Sequence, residues 1–598
     1  AGRVPSRSDD GRPLDRWVVL GAAAAGSVVA VDWLARVRDA FGHGMPNPDT
    51  LWYHMPYAAR FVQDGSLHAL DRTQPDSLTA FYPANAELLH AVPLLLLGHD
   101  TLSPLINLAW LGLVLLAAWC VGRRFGTPAT ALLAACVAVG GYHMSLQSGD
   151  PANDVVGLAL FLAAGAIVAD GSRDARTFGL AALPAGLAVG TKLSMLAPVV
   201  ALFAGVLALS TAGTRRRVTL AWGVVVPITG GVWYVRNLIA TGNPLPWLKI
   251  GVGDLTLPAT YDAPELRVPQ GGFDSTLVHL LADEAVLGAV RAGLRDGLGP
   301  AWWALLAVAG LGLMAGLMAR ERPVVRVLAA VGLVSFAAYV LTPMSGSFFP
   351  WNLRHGIPTL TLGLLVLTLL PALGSVGRQR AVAALLFGLF ATSQTGRDLA
   401  LTSVPRAAVA AGAAAVAVGL ALAVIAWPSR ARRLAPVALT GLAVAAVGMG
   451  YRVHERYLDR RYADTGKVLV QGYRSDAPLR AVFAWARGVR GARIGLIGTE
   501  MQYPLYGVDV SNRVRYLHRT RGNGREVRPI RSCGEWARAI AELRLDYVVT
   551  TPVRFPLEPD ARPPVQERWT RSLSTATETI RAGDHVTVFR IVGPARCR

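Results

Sequence analysis

Leu180-Ala181-Ala182-Leu183-Pro184-Ala185-Gly186-Leu187-Ala188-Val189-Gly190-Thr191-Lys192-Leu193-Ser194-Met195-Leu196 is an apolar run with a single charge in it, and it stays apolar as far as Leu209. A membrane-spanning helix needs about 20 mainly apolar residues. The stretch 180–209 is long enough for two short spans hinged at Gly190. A lysine held near mid-membrane costs about 2.5–3.5 kcal/mol on insertion scales. A turn at Gly190 removes that cost by bringing Lys192 to the membrane boundary. There the ammonium either snorkels to the interface or faces an anionic partner, and a charge in such a run favours the second reading.

The same pattern extends in both directions. Apolar runs occur near 17–35, 104–121, 128–145, 154–170, 178–190, 192–209, 219–238, 301–319, 324–342, 357–373, 380–395, 405–427 and 434–450. The expected fold is therefore an all-α polytopic membrane domain of about 13 transmembrane helices over 17–450. A cytosolic tail (1–16) precedes it. The 598 residues are 53% hydrophobic and only 16% charged, against about a quarter charged in soluble domains. The stretch 86–97 is apolar but short and follows Pro83, which suits a helix lying at the interface.

The formal net charge is +20. In a soluble chain that would suggest nucleic acid. Here the arginines fall in short loops: Arg123-Arg124, Arg173 with Arg176, Arg215-Arg216-Arg217, Arg320 with Arg322 and Arg326, Arg378 with Arg380, and Arg430 with Arg432 and Arg433. Basic loops alternating with less basic ones follow the positive-inside rule. They place the N-terminus in the cytosol, and they place loops 36–103 and 239–300 outside the plasma membrane. Arg397 and Arg406 run against the pattern. The first apolar run, with Arg12 and Arg16 ahead of it, has no clear small-residue cleavage site after it and reads as an uncleaved anchor.

After Gly450 the composition changes. Residues 451–598 read as a small soluble extracytoplasmic domain, with strand-like runs at 493–498, 546–550 and 586–591 and a helix between Cys533 and Arg544. Strand and helix in alternation imply an α/β arrangement. Cys120 and Cys136 lie in apolar runs and read as inert. Cys533 and Cys597 form a disulfide if the domain lies outside the cytosol, or stand as two free thiols.

The outer connections hold most of the chemistry-bearing residues. The first contains Pro48-Asp49-Thr50-Leu51-Trp52-Tyr53-His54-Met55-Pro56 and runs on, amphipathic, to Gly65. Asp49 either caps the helix that follows or serves as a general base at the bilayer edge. The second reads Ser148-Gly149-Asp150-Pro151-Ala152-Asn153-Asp154. Asp154 opens an apolar helix, where an acid complements the helix dipole. Alternatively Asp150 and Asp154 form a second acidic site for sugar hydroxyls, an amine or a divalent metal. Two further segments are Trp233-Tyr234-Val235-Arg236-Asn237 followed by Gly242-Asn243-Pro244, and Asn352-Leu353-Arg354-His355. Guanidinium matches phosphate through paired hydrogen bonds. Lys192, Arg236 and Arg354 thus suggest an anionic lipid-phosphate site, while each Arg taken singly also reads as a solvated interface charge. His355 is either a further donor or a satisfied interface histidine.

An outer-loop Asp after the first span, an acidic pair, a Gly-Thr-Lys turn, the Trp-Tyr-x-Arg-Asn and Gly-Asn-Pro segment and an Asn-x-Arg-His occur in that order. This chain thereby resembles the GT-C glycosyltransferases, in the branch of protein O-mannosyltransferases and lipid A aminoarabinose transferases. The likeness covers about residues 15–375, and Asp49 to Pro56 resembles the DxxxYHLP segment of bacterial members. It implies inverting transfer of a sugar from a polyprenyl-phosphate donor to a glycan, lipid or protein hydroxyl. On that reading Asp49 is the base. Lys192 and an Arg hold the phosphate, and His54, Asp150, Asp154, Tyr234, Arg236, Asn237, Asn243, Asn352, Arg354 and His355 line the substrates. The first loop lacks the Asp-Glu pair of the mannosyltransferases. No cofactor is implied firmly, and a divalent metal at Asp150 and Asp154 stays open. The competing reading is a transporter or flippase for a lipid-linked anion. It would be expected to show paired halves and mid-membrane polar groups, and the polar groups here gather on one side.

Overall fold

The computed structural model describes most of residues 15–395 and 456–597. The longest segments outside the description are 1–14, 259–275, 343–351, 396–411, 413–455, 464–476 and 553–562. The apolar runs at 405–427 and 434–450, and Phe348 to Trp351, lie outside the described residues.

Helix α1 (Arg16–His43) starts where the Asp15 carboxylate accepts from the backbone N–H groups of Trp17 and Val18, and it stops at Gly44, whose φ is +99°. A π-helical turn (Thr50–His54) and α2 (Met55–Asp64) follow, ending at left-handed Gly65. Next come α3 (Asn85–Leu97), α4 (Ser103–Arg123), α5 (Pro128–Val139), the single turn α6 (Tyr142–Ser145), α7 (Asp154–Ala169) and α8 (Ala175–Thr191). At Lys192 the backbone is extended, and α9 (Leu196–Leu209) begins after a 3₁₀ turn. The apolar stretch at 180–209 is therefore two helices broken at the lysine.

Helices α10 (Ala212–Val226) and α11 (Val232–Thr241) are joined by a π turn into one 30-residue span. A two-stranded hairpin (β1 Gly251–Val252, β2 Leu255–Thr256) and the short α12 (Leu277–Leu280) follow. Helix α13 (Glu284–Leu298) then meets α14 (Trp302–Met318) at a bend of 83°. The bundle closes with α15 (Pro323–Leu341), α16 (Ile357–Thr368) and α17 (Val376–Ser393).

The expected count of 13 spans is not reached among the described residues. Four helices are long and apolar enough to cross a membrane, or five if the bent pair is counted as one span. Five more are apolar but shorter, at 10–17 residues. Prolines and glycines account for much of the shortening. α5 stops at Gly140, whereas α8 runs through Gly190, where the sequence suggests the hinge, and ends at Thr191. One buried cluster runs through α1, α4, α5, α7, α8, α14, α15 and α16, while Leu116, Ile228, Ile239, Leu311 and Met318 point outward, the surface expected against lipid tails.

The C-terminal domain holds a five-stranded sheet ordered β4-β3-β7-β9-β8. Its strands are β3 (Arg493–Ile497), β4 (Arg513–Tyr516), β7 (Tyr547–Thr550), β8 (Ala576–Ala582) and β9 (Val586–Ile591), with β5 (Arg519–Arg521) and β6 (Glu526–Arg528) in a separate hairpin. β3 pairs in parallel with β4 and β7, whereas β9 is antiparallel to β7 and β8. Helices α18 (Ala477–Arg487), α19 (Cys533–Glu542) and α20 (Val565–Ser572) complete it, and Cys533 is joined to Cys597 by a disulfide.

This domain sits on the C-terminal end of α1. The Tyr462 N–H donates to His43 O at 2.8 Å. A second buried cluster mixes Ala40, Met45, Leu51, Met55 and Ala58 with Phe483, Ile494, Tyr503 and Tyr506. The first long loop and the C-terminal domain therefore share one core. That core lies at the end of α1 away from Arg16.

Candidate active site at one end of the bundle

Four side chains from four distant segments meet at this end. Arg354, in the 3₁₀ turn Leu353–Gly356 before α16, donates from Nη2 to Asp49 Oδ2 at 2.7 Å. Its Nε lies 3.6 Å from Asp154 Oδ2. The other Asp154 oxygen is paired with Lys192 Nζ. The order Asp49, Arg354, Asp154, Lys192 is thus a ladder of alternating charge. Asp49 and Arg354 keep 18% and 19% of their side chains exposed, whereas Asp154 keeps 6%. Lys192 keeps 14%, so both ends of the ladder stay partly exposed while Asp154 between them is closed in.

Local structure explains each position. Asp49 makes no capping hydrogen bond. The helix-cap reading of Asp49 fails, because Arg354 draws the carboxylate away. Asp154 lies in the first turn of α7, but its carboxylate faces Lys192, Arg354 and Gln147, whose Nε2 donates at 2.6 Å. Gln147 Oε1 accepts the Val155 N–H in return. Asn107, fully buried on α4, donates to the carbonyls of Gln147, Asp150 and Ala152 at 2.7–2.9 Å and shapes that loop. Lys192 reaches Asp154 only because α8 and α9 are broken there.

Burial acts to raise the Asp49 carboxyl. The Arg354 charge, helped by His54 and Lys192, outweighs burial and holds it below the usual 3.8. Asp49 is therefore ionised at neutral pH. His355 is pushed down to about 3, by burial first and by Lys192 next, so its imidazole is neutral and able to donate a hydrogen bond.

Asp150 plays a different part from the one expected. Its Oδ1 accepts from the Asn47 N–H at 3.1 Å and the Thr50 hydroxyl at 2.9 Å, so it staples the Asp49 turn to the second loop. Burial raises it to about 7 against those two bonds. The divalent-metal reading of Asp150 and Asp154 does not fit these donors. Both Asp154 oxygens face cations or an amide, and no group of three His, Cys, Asp or Glu suited to a metal exists among the described residues.

The Trp-Tyr-x-Arg-Asn segment is a stitch. Arg236 donates from Nη2 to Ala80 O at 2.9 Å and to Asn237 Oδ1 at 3.1 Å, with its guanidinium 4.9 Å from the centre of the Trp233 ring. Asn237 donates to Phe81 O, and Tyr234 donates to Val189 O at 3.1 Å. Asn243 holds its own turn, accepting from the Leu245 N–H and donating to Pro258 O. Among the described contacts these residues fasten α11 to the 79–82 turn and α8, and Arg236 is not part of the charge ladder. Asn352 lies half-buried at the entrance of the Arg354 turn.

His54 is buried and its Nδ1 lies 2.5 Å from Glu87 Oε1 on α3. Sequence reasoning passed over Glu87, Gln147 and Asn107. An acid among the leucines of 85–97 was the available signal for Glu87. Gln147 and Asn107 carry no such signal.

No family model matches the chain, and no curated protein matches it in sequence. The fold is nevertheless a shared one. The chain is similar in fold to two solved structures of ArnT from Cupriavidus metallidurans. One is bound to undecaprenyl phosphate and superposes with a TM-score of 0.52 at 15% identity; the other, in the apo state, does so with 0.51 at 16%. Each alignment covers 96% of this chain and 97% of that chain.

Proposed function

We propose that this protein is an inverting membrane glycosyltransferase that moves a sugar from a polyprenyl-phosphate donor to a hydroxyl of a glycan, lipid or protein. The carrying observation is the ladder Asp49, Arg354, Asp154, Lys192, which puts an ionised carboxylate beside two cations at one end of a GT-C fold. The likeness to a protein crystallised with undecaprenyl phosphate supports the choice of donor.

The acceptor oxygen attacks the anomeric carbon on the face opposite the phosphate. The bond from that carbon to the phosphate oxygen breaks, and its electron pair leaves with the phosphate. The hydroxyl proton passes to Asp49. Arg354 and Lys192 stabilise the charge that grows on the leaving phosphate, and neutral His355 donates a hydrogen bond to it or to the sugar. A displacement of this kind needs one base, unlike hydrolysis by a pair of catalytic carboxylates.

The site and the C-terminal domain belong outside the cytosol of a multi-pass plasma-membrane protein. Two features support this. Arg380 pairs with Asp15 at the opposite end of the bundle, where the basic loops gather, and disulfides such as Cys533–Cys597 persist in oxidising compartments. The test is transfer of labelled sugar from an undecaprenyl-phosphate donor by the purified protein in lipid. Turnover that is lost in Asp49→Asn supports the reading. Absence of transfer to any hydroxyl acceptor, or full turnover in Asp49→Asn, sinks it.

A further inference from the structure

The turn that carries Asp49 has a defect in its own hydrogen bonding. In the π turn Thr50–His54 the Met55 N–H closes on Thr50 O, five residues back. The next donor along the chain is residue 56, which is proline and has no N–H. The Leu51 carbonyl loses its π-type donor, and the Trp52 carbonyl loses its α-type donor. Buried carbonyls need partners.

The partner comes from the other domain. The Gln502 N–H donates to Leu51 O at 3.0 Å. Its side-chain Nε2 donates to Trp52 O at 2.9 Å, across 450 residues of chain, and also to Thr73 O. Gln502 is 1% exposed. Its neighbour Tyr503 donates to Asp100 Oδ2 at 2.8 Å, and Asp100 is paired with Arg461. That buried network holds the segment 502–506 rigidly against the first loop. Both orphaned carbonyls of the Asp49 turn are thus satisfied by a single residue of the sheet domain.

We propose that the C-terminal domain is a positioning element for the Asp49 turn, and that Gln502 is the positioning residue through which it acts. The amide clamps Trp52 O and Thr73 O together, so the Trp52 carbonyl is not left buried without a donor and the turn does not fray. Asp49 then stays where it meets Arg354. The effect on turnover rests on the proposed glycosyl transfer; the clamp itself does not.

The experiment uses the full-length protein in nanodiscs with Gln502→Met, which keeps the shape but cannot donate, with Pro56→Ala, which returns an N–H to residue 56, and with the double variant. Hydrogen exchange of peptides spanning 50–60 reads the clamp without any assay of activity. Gln502→Met is expected to exchange faster there. It is also expected to lose kcat about 10- to 100-fold, the scale of a small misplacement of a reacting group, while the donor KM stays within about twofold. Pro56→Ala in the same chain is expected to recover both exchange protection and kcat, which a merely destabilised protein would not do. If Gln502→Met alone fails to fold, the double variant compared with Pro56→Ala decides the matter. Unchanged exchange in Gln502→Met, or no recovery in the double variant, overturns the inference. Exchange that responds as expected in a protein whose wild type transfers no sugar leaves the clamp standing and removes the reaction instead.

Discussion

Asp49 and Arg354 stand 305 residues apart in the chain and 2.7 Å apart in space. Each is the other's partner, and each stays partly exposed. On the proposed reaction, an incoming phosphate would compete with Asp49 for the guanidinium. Arg354 would then bind the leaving group of that reaction and free the carboxylate for the acceptor proton.

Asp49→Asn is expected to lower kcat by about 10²- to 10⁴-fold, the usual contribution of a general base. Binding of the donor lipid should not weaken and is expected to tighten, because Arg354 loses its competing carboxylate. Transfer kinetics together with a lipid-binding titration check this. The wild-type Asp49 carboxyl lies below its ordinary value. Stability from its ion pair is therefore complete above the ordinary carboxylate range, and it is lost only as pH falls through that lower value.

Lys192→Met is expected to weaken binding of undecaprenyl phosphate by roughly 10- to 100-fold, since a charge-assisted hydrogen bond is worth about 1.5–3 kcal/mol. Titration of the lipid into detergent-solubilised protein reads the effect. Wild-type affinity in that variant would remove Lys192 from the phosphate site.

Asp154→Ala leaves Lys192 and Arg354 facing each other without the carboxylate between them. Breaking a buried ion pair by removing one partner costs about 3–5 kcal/mol. Thermal unfolding in detergent should show a clear loss of stability. Added undecaprenyl phosphate should restore more of it than it adds to the wild type, because the lipid returns the missing negative charge.

Asp150 gives a pH dependence of the opposite sign to that of Asp49. Its carboxyl is raised by burial from 3.8 to about 7. Between those values the folded state keeps a proton that the unfolded chain has released. Its contribution to stability therefore falls as pH rises through that window and levels off above it. Asp150→Asn keeps an oxygen to accept from Asn47 and Thr50, so it should flatten the slope and raise the melting temperature at pH 8. A melting series from pH 4.5 to 8.5 measures this.

The Cys533–Cys597 bridge closes a separation of 64 residues. Chain entropy assigns such a loop about 4 kcal/mol. Cys533→Ser with Cys597→Ser is expected to unfold the C-terminal domain at lower temperature, read by proteolysis of that domain.

Much of the architecture was legible because apolar periodicity and charge act locally. A break beside Lys192, the short helix at 85–97 and the strands at 493–497, 547–550 and 586–591 all follow from short windows of residues. The roles of arginines were less legible. Arg236 and Arg354 look alike in sequence, since each follows a Trp close to an outer boundary. One is engaged by the carbonyls and amide around the 79–82 turn, and the other by two carboxylates. A side chain's partner depends on which backbone groups another segment leaves open, and no short window contains that.

By itself the sequence determined a bundle of apolar helices with its unusual charges at helix ends, because hydrophobic burial and charge exclusion depend on residue type and spacing alone. Pro56 lacks an N–H whatever the fold, but that Leu51 and Trp52 both need outside donors follows only from the π turn that the structure shows. Tertiary structure alone decided that Gln502 supplies them, that Asp49 pairs with Arg354, and that Asp150 is a staple while Asp154 joins the ladder. Those outcomes are contacts between segments tens to hundreds of residues apart, and they exist only once the packed helices and the sheet domain have fixed where each backbone ends up.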